Sequence, residues 1–437
     1  MTGKIAIIHH GCAKNLIDTE LMLGALVKKG YSVTLDPFEN DVEFVIVNTC
    51  SFIHDAEKES VSSIFNMISN GKKVIIAGCL PQKHGEELKT LLPEAVGFIG
   101  TSDVDKIVEL IEGAKCNDSK RFLVSKNPVC KYPENIDRVQ ITVGSSSYIK
   151  IAEGCDYACG YCVIPKLRGP YVSRPIDSII NEAKNLVNKG VSEIILIAQD
   201  TSSYGVDLYK KPMLAELLHK LNNIENLSWI RVLYTYPTNF NDELIDAIAK
   251  LDKVVKYVDI PLQHSHPEVL KAMRRPAIDQ LAFIEKLRSK INGLCLRTTL
   301  ITGYPTETEE YFNHLYNFVE KARFDRLGVF EFSREKDTYA YALKPQIPAR
   351  VKKVRKNKIL KLQKNISNSI NKAFVGASIP CIVEQIREDG LAVLRSYRDA
   401  PDVDGLVYAE TSKVLVPGDI WDVKVTDFSD YDLFGEI

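Results

Sequence analysis

No apolar run in this sequence of 437 residues approaches the roughly 18–20 residues that a membrane-spanning helix requires. The longest runs, such as residues 73–78 and 193–198, have the length of strands. The first residues form a short strand-like run, 4–10, and include no apolar segment of the kind found in signal peptides. We therefore expect a cytoplasmic protein.

The sequence also has little net charge, because 56 Lys and Arg stand against 57 Asp and Glu. The balance of −1 by itself indicates neither nucleic acid nor a membrane as partner, but the charge is unevenly distributed. Residues 376–437 contain 13 acidic and 5 basic residues. A helix predicted over about 349–374 begins with basic residues and no acid: Arg350, Lys352, Lys353, Arg355, Lys356, Lys358, Lys361 and Lys364. This basic segment is either an ordinary solvated helix face or a positive surface near the active site.

Strand-like and helix-like segments alternate along most of the chain, which predicts an α/β protein. We expect an N-terminal parallel-sheet domain over 1–113, a linker over 114–146, a partial barrel of six βα units with a long final helix over 147–374, and a small five-stranded β-barrel over 375–437. The N-terminal strands are predicted at 5–9, 44–48, 73–77 and 96–99. The barrel strands are predicted at 148–152, 194–198, 229–235, 256–260, 295–301 and 327–332.

The strongest chemical signal is the motif Cys155-x3-Cys159-x2-Cys162. Three thiolates at this spacing suit three irons of a four-iron, four-sulfur cluster, and they leave the fourth iron open to a substrate or cofactor. The motif follows a predicted strand, so we expect the cluster at the carboxyl-terminal mouth of the barrel. Structural zinc is the alternative, but zinc takes four protein ligands, and no second cysteine pair or nearby histidine follows.

A second set of cysteines is widely spaced, yet Cys12, Cys50 and Cys79 each come just after a predicted strand. The carboxyl ends of parallel strands lie on one edge of a sheet, so these thiols are expected together there. They predict a second cluster with three cysteine ligands, although placement alone does not distinguish it from three unrelated buried cysteines or a catalytic thiol trio. Cys116, Cys130, Cys295 and Cys381 show no ligand pattern, and Cys295, inside an apolar run, is expected in the core.

With these motifs the sequence resembles the methylthiotransferases of the radical-SAM superfamily over its full length, with an N-terminal cluster domain, a radical-SAM barrel and a C-terminal TRAM domain. The branch it is most similar to acts on an aspartate of ribosomal protein S-twelve of the small subunit. Further segments that support the resemblance are 11–20, 48–53, 164–169, 198–201, 259–264, 395–401 and 431–436. Thr306, Asp337 and Tyr339 depart from the family pattern, which usually has Gly at the first two positions and Pro at the third.

The resemblance implies two 4Fe-4S clusters and S-adenosyl-L-methionine as cofactors, with no catalytic residue beyond the cluster ligands. It makes Tyr161 a contact to the adenosine of the cofactor, and it makes Leu300, Ile301 and Gly303 part of the wall of its pocket. It also implies transfer of a methylthio group to the β-carbon of the aspartate, with an external electron donor whose identity the sequence does not reveal. The alternatives are a tRNA adenosine methylthiotransferase and, from another class, an iron–sulfur electron carrier, which normally binds each cluster through four cysteines.

The acidic C-terminal residues add an expectation about the partner. A module that neutralises RNA phosphates needs Lys and Arg, and residues 376–437 have few. We expect Asp399, Asp402 and Asp404, together with Asp427, Asp430 and Asp432, to form a face that attracts a basic ribosomal protein, with any RNA contact made through the ribosome.

Overall fold

A computed structural model describes residues 2–116, 121–130, 132, 138–141 and 144–437. The chain forms two compact units: an N-terminal unit of residues 1–142, 152–158 and 162–174, and a barrel unit of residues 143–151, 159–161 and 175–437. The domain boundaries expected from the sequence stay predictions, and 117–120, 131, 133–137 and 142–143 of the expected linker lie outside the described residues. Within the described ranges, no helix is both long enough and apolar enough to cross a membrane.

The strands, in chain order, are β1 Thr2–His9, β2 Tyr31–Thr34, β3 Val42–Thr49, β4 Val74–Gly78, β5 Gly97–Ile99, β6 Phe122–Leu123, β7 Ser146–Lys150, β8 Ala152–Glu153, β9 Val172–Ser173, β10 Glu193–Ile197, β11 Trp229–Val232, β12 Tyr257–Asp259, β13 Cys295–Thr302, β14 Arg326–Glu331, β15 Ser378–Ile386, β16 Ala392–Ser396, β17 Val407–Glu410, β18 Ile420–Phe428 and β19 Leu433–Glu436.

The α-helices are α1 Ala13–Lys28, α2 His54–Ser69, α3 Cys79–His84, α4 Glu87–Leu91, α5 Ile107–Lys115, α6 Ile164–Arg168, α7 Ile176–Asn188, α8 Val206–Tyr209, α9 Leu214–Asn222, α10 Asp242–Lys250, α11 Pro267–Ala272, α12 Gln280–Lys290, α13 Glu309–Ala322, α14 Tyr339–Ala342 and α15 Ala349–Lys372.

The N-terminal unit is built on a parallel sheet with the order β2-β1-β3-β4-β5-β6. Its central strands β3 and β4 are runs of Val and Ile that are buried on both faces, as parallel strands covered by helices usually are. Side chains of α1 and α5 pack on one face of the sheet, and side chains of α2 and α4 pack on the other. The four predicted strands are confirmed. The short strands β2 and β6, at the edges, were not predicted.

The barrel unit contains six parallel strands in chain order, from β7 through β10 and β11 to β12, β13 and β14. They form two three-stranded sheets, and Ile230 of β11 makes a parallel bridge to Val254, which lies just before β12. The predicted partial barrel of six βα units is therefore confirmed, and its strands agree with prediction to within a few residues. Cys295 on β13 is fully buried, as expected of a core position.

The last strands, β15 to β19, close into a five-stranded barrel, as predicted. The loop that follows β16 inserts into the amino-terminal end of the larger partial barrel. There Asp399 accepts from Arg326 at 3.1 Å, and Asp404 lies 3.5 Å from Arg297. Both carboxylates are buried. The expected acidic docking face is therefore wrong for Asp399 and Asp404, because their charge is neutralised inside the unit; Asp402 is exposed.

Helix α15 spans 24 residues and confirms the long helix predicted at 349–374. Its buried positions recur every three or four residues, which is the period of one helix face. Among them, Ile359 and Ile366 are apolar, and Gln363 donates to the backbone oxygen of Phe324 at 2.8 Å. The opposite face is exposed and basic.

Candidate active site

The three widely spaced cysteines meet at one edge of the N-terminal sheet. Cys12 lies between β1 and α1, Cys50 follows β3, and Cys79 begins α3 directly after β4. Helices α1 and α2 leave the neighbouring strands β1 and β3 toward opposite faces of the sheet, which opens a crevice between the strand ends. Ligands of open α/β sheets bind at such a switch point.

The backbone around these cysteines is tightly packed. Gly11 has a φ of +102°, and a Cβ atom added there would lie 2.9 Å from Cβ of Cys50, so a side chain at position 11 would collide with the cysteine. The side-chain amide of Asn15 donates to the backbone oxygen of Thr49 at 2.9 Å and to that of His10 at 3.2 Å. The loops that carry Cys12 and Cys50 are thereby joined.

A buried arginine, Arg168, reaches the same sheet edge from α6. Its guanidinium lies 2.7 Å from Asp18 and 3.0 Å from Glu153, and it also donates to the side-chain oxygen of Asn15. The same guanidinium is 3.8 Å from the sulfur of Cys79. A buried positive charge at this distance favours the thiolate over the thiol.

Burial opposes that effect at two of the three thiols. The pKa of Cys50 is raised to about 11, first by burial and further by the neighbouring Cys79 and Cys12. Burial also raises the pKa of the fully buried Cys79, and Arg168 counteracts this. These mutual effects place the three sulfurs within electrostatic reach of one another. Since metal ligands must be deprotonated, an iron–sulfur cluster that binds here displaces protons from these thiols.

Backbone hydrogen bonds and close packing hold the second cysteine motif, residues 155–162, in place. In the N-terminal unit, the N–H of Cys155 donates to the oxygen of Gly169 at 3.1 Å, and the N–H of Ile164 lies 3.5 Å from the sulfur of Cys162. Gly154, at a φ of +79°, lies so close to Pro170 that any side chain would collide with its backbone. An N–H directed at sulfur suits a thiolate ligand of a cluster.

The barrel unit contributes Cys159, Tyr161 and a second buried arginine, Arg275. The guanidinium of Arg275 lies 4.0 Å from the sulfur of Cys159 and 3.4 Å from the hydroxyl of Tyr161. It also donates to the backbone oxygen of Pro261 at 2.7 Å. Pro261 follows the end of β12, so this part of the motif lies at the carboxyl-terminal mouth of the partial barrel.

Two of the four residues predicted for the cofactor pocket come together. Tyr161 and Ile301 pack against the same apolar cluster, formed by side chains that include Val269, Met273 and Tyr304. Leu300 is fully buried and, because adjacent strand residues face opposite sides, its side chain points away from that of Ile301. Gly303 follows β13 with a φ of +76°, and its N–H donates to Glu307 at 2.7 Å.

Within the described part of the chain, no group of three or more His, Cys, Asp or Glu side chains is arranged to hold a single metal ion. A four-iron cluster distributes its thiolates over separate irons, so its ligands stand further apart than those of one ion. In the N-terminal unit, the donor set of Cys12, Cys50 and Cys79, three soft thiolates with the buried Arg168 beside Cys79, fits such a cluster.

Sequence reasoning did not single out Arg168 and Arg275. Arg168 lies within the family segment 164–169, but its residue type alone does not separate a buried arginine from a surface one. The departure at Asp337 has a structural counterpart, because this residue adopts a φ of +67°, a conformation that favours glycine. Three residues further on, the N–H of Ala340 donates to the oxygen of Gly160 at 2.7 Å, so this loop is tied to the cysteine motif.

Comparison with known proteins agrees with this geometry. The chain is 46% identical to the ribosomal protein uS12 methylthiotransferase RimO of Gloeobacter violaceus, over 100% of this chain and 99% of that protein. It is 47% identical to the protein of the same name from Caldanaerobacter subterraneus, over 99% of each chain. The chain belongs to the RimO family.

Three family models cover most of the sequence. Residues 4–100 match an uncharacterised protein family, UPF0004, residues 149–319 match the radical-SAM superfamily, and residues 375–437 match the TRAM domain. Among solved structures, the fold is similar to the radical S-adenosylmethionine methyltransferase TsrM from Kitasatospora setae, with a TM-score of 0.58 and 15% identity over 75% of this chain and 73% of that one. RimO proteins are radical-SAM methylthiotransferases that use S-adenosylmethionine and 4Fe-4S clusters.

Proposed function

We propose that this enzyme transfers a methylthio group to the β-carbon of an aspartate in ribosomal protein uS12, in the cytoplasm. The near full-length identity of 46% to RimO of Gloeobacter violaceus is the observation that supports this most directly. The meeting of Cys12, Cys50 and Cys79 at one sheet edge adds independent support.

We assign the auxiliary cluster to Cys12, Cys50 and Cys79, and the radical-SAM cluster to Cys155, Cys159 and Cys162. When bound, the clusters and S-adenosylmethionine supply the transferred sulfur and the radical that removes hydrogen from an unactivated C–H bond. A hydrogen on the β-carbon beside a carboxylate is not acidic enough for a side-chain base near neutral pH. The protein therefore contributes position, charge and exclusion of water.

The two buried arginines have separate tasks in this scheme. Arg168 holds the loop of Asn15 to α6 and stabilises negative charge on Cys79. Arg275 places a positive charge beside Cys159 and positions the hydroxyl of Tyr161, whose ring contributes to the apolar wall with Ile301. Neither residue exchanges a proton with substrate in this mechanism, so both are positioning residues.

Modification of a tRNA adenosine is the alternative substrate class. The relatives described above carry the ribosomal-protein name, and the C-terminal barrel contains 13 acidic residues against 5 basic ones. Phosphate contacts require Lys or Arg, so this barrel is poorly suited to tRNA. The ribosomal protein is therefore the favoured substrate.

Iron content and cofactor cleavage test the assignment of the clusters. Anaerobically reconstituted protein is expected to bind about eight irons as two four-iron clusters. Replacing Cys155, Cys159 and Cys162 by Ala should halve the iron and abolish reductive cleavage of S-adenosylmethionine. Replacing Cys12, Cys50 and Cys79 by Ala should halve the iron, spare the cleavage and abolish methylthiolation of uS12.

The matched control replaces Cys116 and Cys130 by Ala and should leave iron content and cleavage unchanged. Full iron content in the Cys12, Cys50 and Cys79 triple variant would refute the auxiliary cluster. Mass spectrometry of uS12 and of bulk tRNA after the reaction identifies the substrate, and a methylthio group found on tRNA alone would refute the proposed function.

A further inference from the structure

Helix α15 presents a strongly one-sided charge. Its 24 residues include nine Lys and Arg and no Asp or Glu. The buried face is formed around Ile359, Gln363 and Ile366, and Arg355 on that side is neutralised by Glu307 at 2.9 Å. The exposed basic residues at 350, 353, 361 and 364 occupy the opposite face, as the helical period requires. The helix therefore displays its positive charge to solvent.

Three of these cations have no carboxylate partner in the described part of the chain: Arg350, Lys353 and Lys361. Two neighbouring lysines of the same helix do have carboxylate partners: Lys364 lies 2.8 Å from Asp430, and Lys358 lies 4.0 Å from Glu309. The first and last of the three unpaired cations are eleven helical steps apart, about 16 Å at ~1.5 Å per residue. This row can contact several consecutive charges on a polyanion.

A shallow cavity of about 400 Å³ lies beside this row, between α13 and α15. Its lining combines cations, amides and aromatic rings: Phe312, Asn313, Tyr316, Lys358, Lys361, Leu362 and Asn365. Protein–protein interfaces are depleted of Lys and have an apolar centre. Nucleic-acid interfaces are positive, polar and hydrated, and they use aromatic rings beside the phosphate contacts.

We propose that the exposed face of α15 binds the phosphate backbone of small-subunit RNA, so that the enzyme acts on uS12 in its RNA-bound form. This rests on the proposed function for the identity of the substrate, but the RNA contact itself rests on the charges of α15. The RNA surface is thus a helix of the barrel unit, whereas the C-terminal barrel supplies few cations. An acidic protein is the alternative partner for the exposed face of α15, and binding of such a protein would give a different experimental result.

The test uses the full-length, anaerobically reconstituted enzyme and a triple charge reversal, R350E, K353E and K361E. A matched control reverses three exposed lysines on or beside two other helices of the same unit, K184E, K189E and K290E. Binding to purified, protein-free small-subunit RNA is measured across a salt series. Methylthiolation is measured on free uS12 and on assembled small subunits.

We expect the α15 variant to bind RNA at least tenfold more weakly than the wild type. The slope of log affinity against log salt concentration should become shallower by about 2–3, because each lost phosphate contact removes about 0.7–0.9 from it. Its activity should fall at least tenfold on assembled subunits and stay unchanged on free uS12, whereas the control should match the wild type in all assays.

Unchanged RNA binding, or an equal loss of activity on free and assembled substrate, would overturn the proposal. Slower reduction of the clusters by an acidic electron-donor protein, with RNA binding intact, would assign the surface to that protein instead. If the wild-type enzyme bound RNA through α15 but modified uS12 in neither form, the proposed function would fall and the RNA surface would stand.

Discussion

The two ends of the partial barrel both contain buried arginines, but Arg275 at the carboxyl-terminal end is neutralised differently from the arginines at the amino-terminal end. At the amino-terminal end, Glu193, the first residue of β10, is paired with Arg231 at 2.8 Å and with Arg395 of the C-terminal barrel. Arg398 likewise lies 2.7 Å from Asp325. Each arginine at this end has a carboxylate partner. The loop after β16 is therefore held by a network of buried ion pairs within this unit.

At the carboxyl-terminal end, Arg275 is almost as deeply buried, but no carboxylate lies within 4 Å of its guanidinium among the described residues. It contacts a backbone oxygen, a tyrosine hydroxyl, the ring of Tyr236 and the sulfur of Cys159. An uncompensated buried charge is costly unless a negative group joins it. The arginines of the amino-terminal end thus stabilise the fold, whereas Arg275 is placed to attract an anionic ligand such as a thiolate-bound cluster.

The largest effect is expected from breaking the amino-terminal network. Replacing Arg395 by Met leaves Glu193 and Glu384 with fewer partners, and the free energy of unfolding should fall by about 3–5 kcal/mol, as for other broken buried pairs. Denaturant titration measures this loss. R387M is the control, because Arg387 pairs with Asp389 at the surface. Its loss should lower the free energy of unfolding by less than about 1 kcal/mol. Equal losses in the two variants would contradict the comparison.

The second prediction concerns acid. Burial by itself would raise the pKa of Glu193, but the charges of Arg395 and Arg231 together outweigh it and lower the pKa to about 2. Its ionised form therefore stabilises the fold fully above about pH 4.5, and this contribution disappears as pH falls toward 2. The shift corresponds to about 3 kcal/mol.

The difference in unfolding free energy between the wild type and E193Q should therefore be largest at neutral pH. It should shrink between about pH 4.5 and 2. Denaturant titrations of both proteins at pH 7, 4 and 3 provide the measurement. A difference that does not change with pH would mean that Glu193 is not ionised in the folded protein.

The sequence was sufficient to predict elements whose signal is local. Runs of Val and Ile marked the central strands, and the cysteines that follow them marked the sheet edge. The network around Glu193 was not predictable, because residues 193, 231 and 395 are far apart in sequence and only the tertiary fold brings them together. For the same reason Asp399 was expected at a docking surface, although it is a buried partner of Arg326.

The smallest and most specific effect is expected at Arg275. Removing its charge should make reduction of the cluster proposed for Cys155, Cys159 and Cys162 harder, because the reduced state carries more negative charge and loses the buried cation beside Cys159. For R275M we expect a reduction potential lower by about 60 mV, equivalent to roughly tenfold for a one-electron step. The unfolding free energy of the cluster-free protein should stay unchanged or rise, in contrast to R395M, since an unpaired buried charge is removed. Redox titration followed by electron paramagnetic resonance measures the potential.

Two variants serve as controls. R275K keeps the positive charge, so its reduction potential should stay close to that of the wild type. R274M changes the exposed neighbouring position, so its reduction potential should equal that of the wild type. A potential unchanged in R275M, or a loss of stability as large as in R395M, would show that both ends of the barrel use their arginines only to hold the fold together.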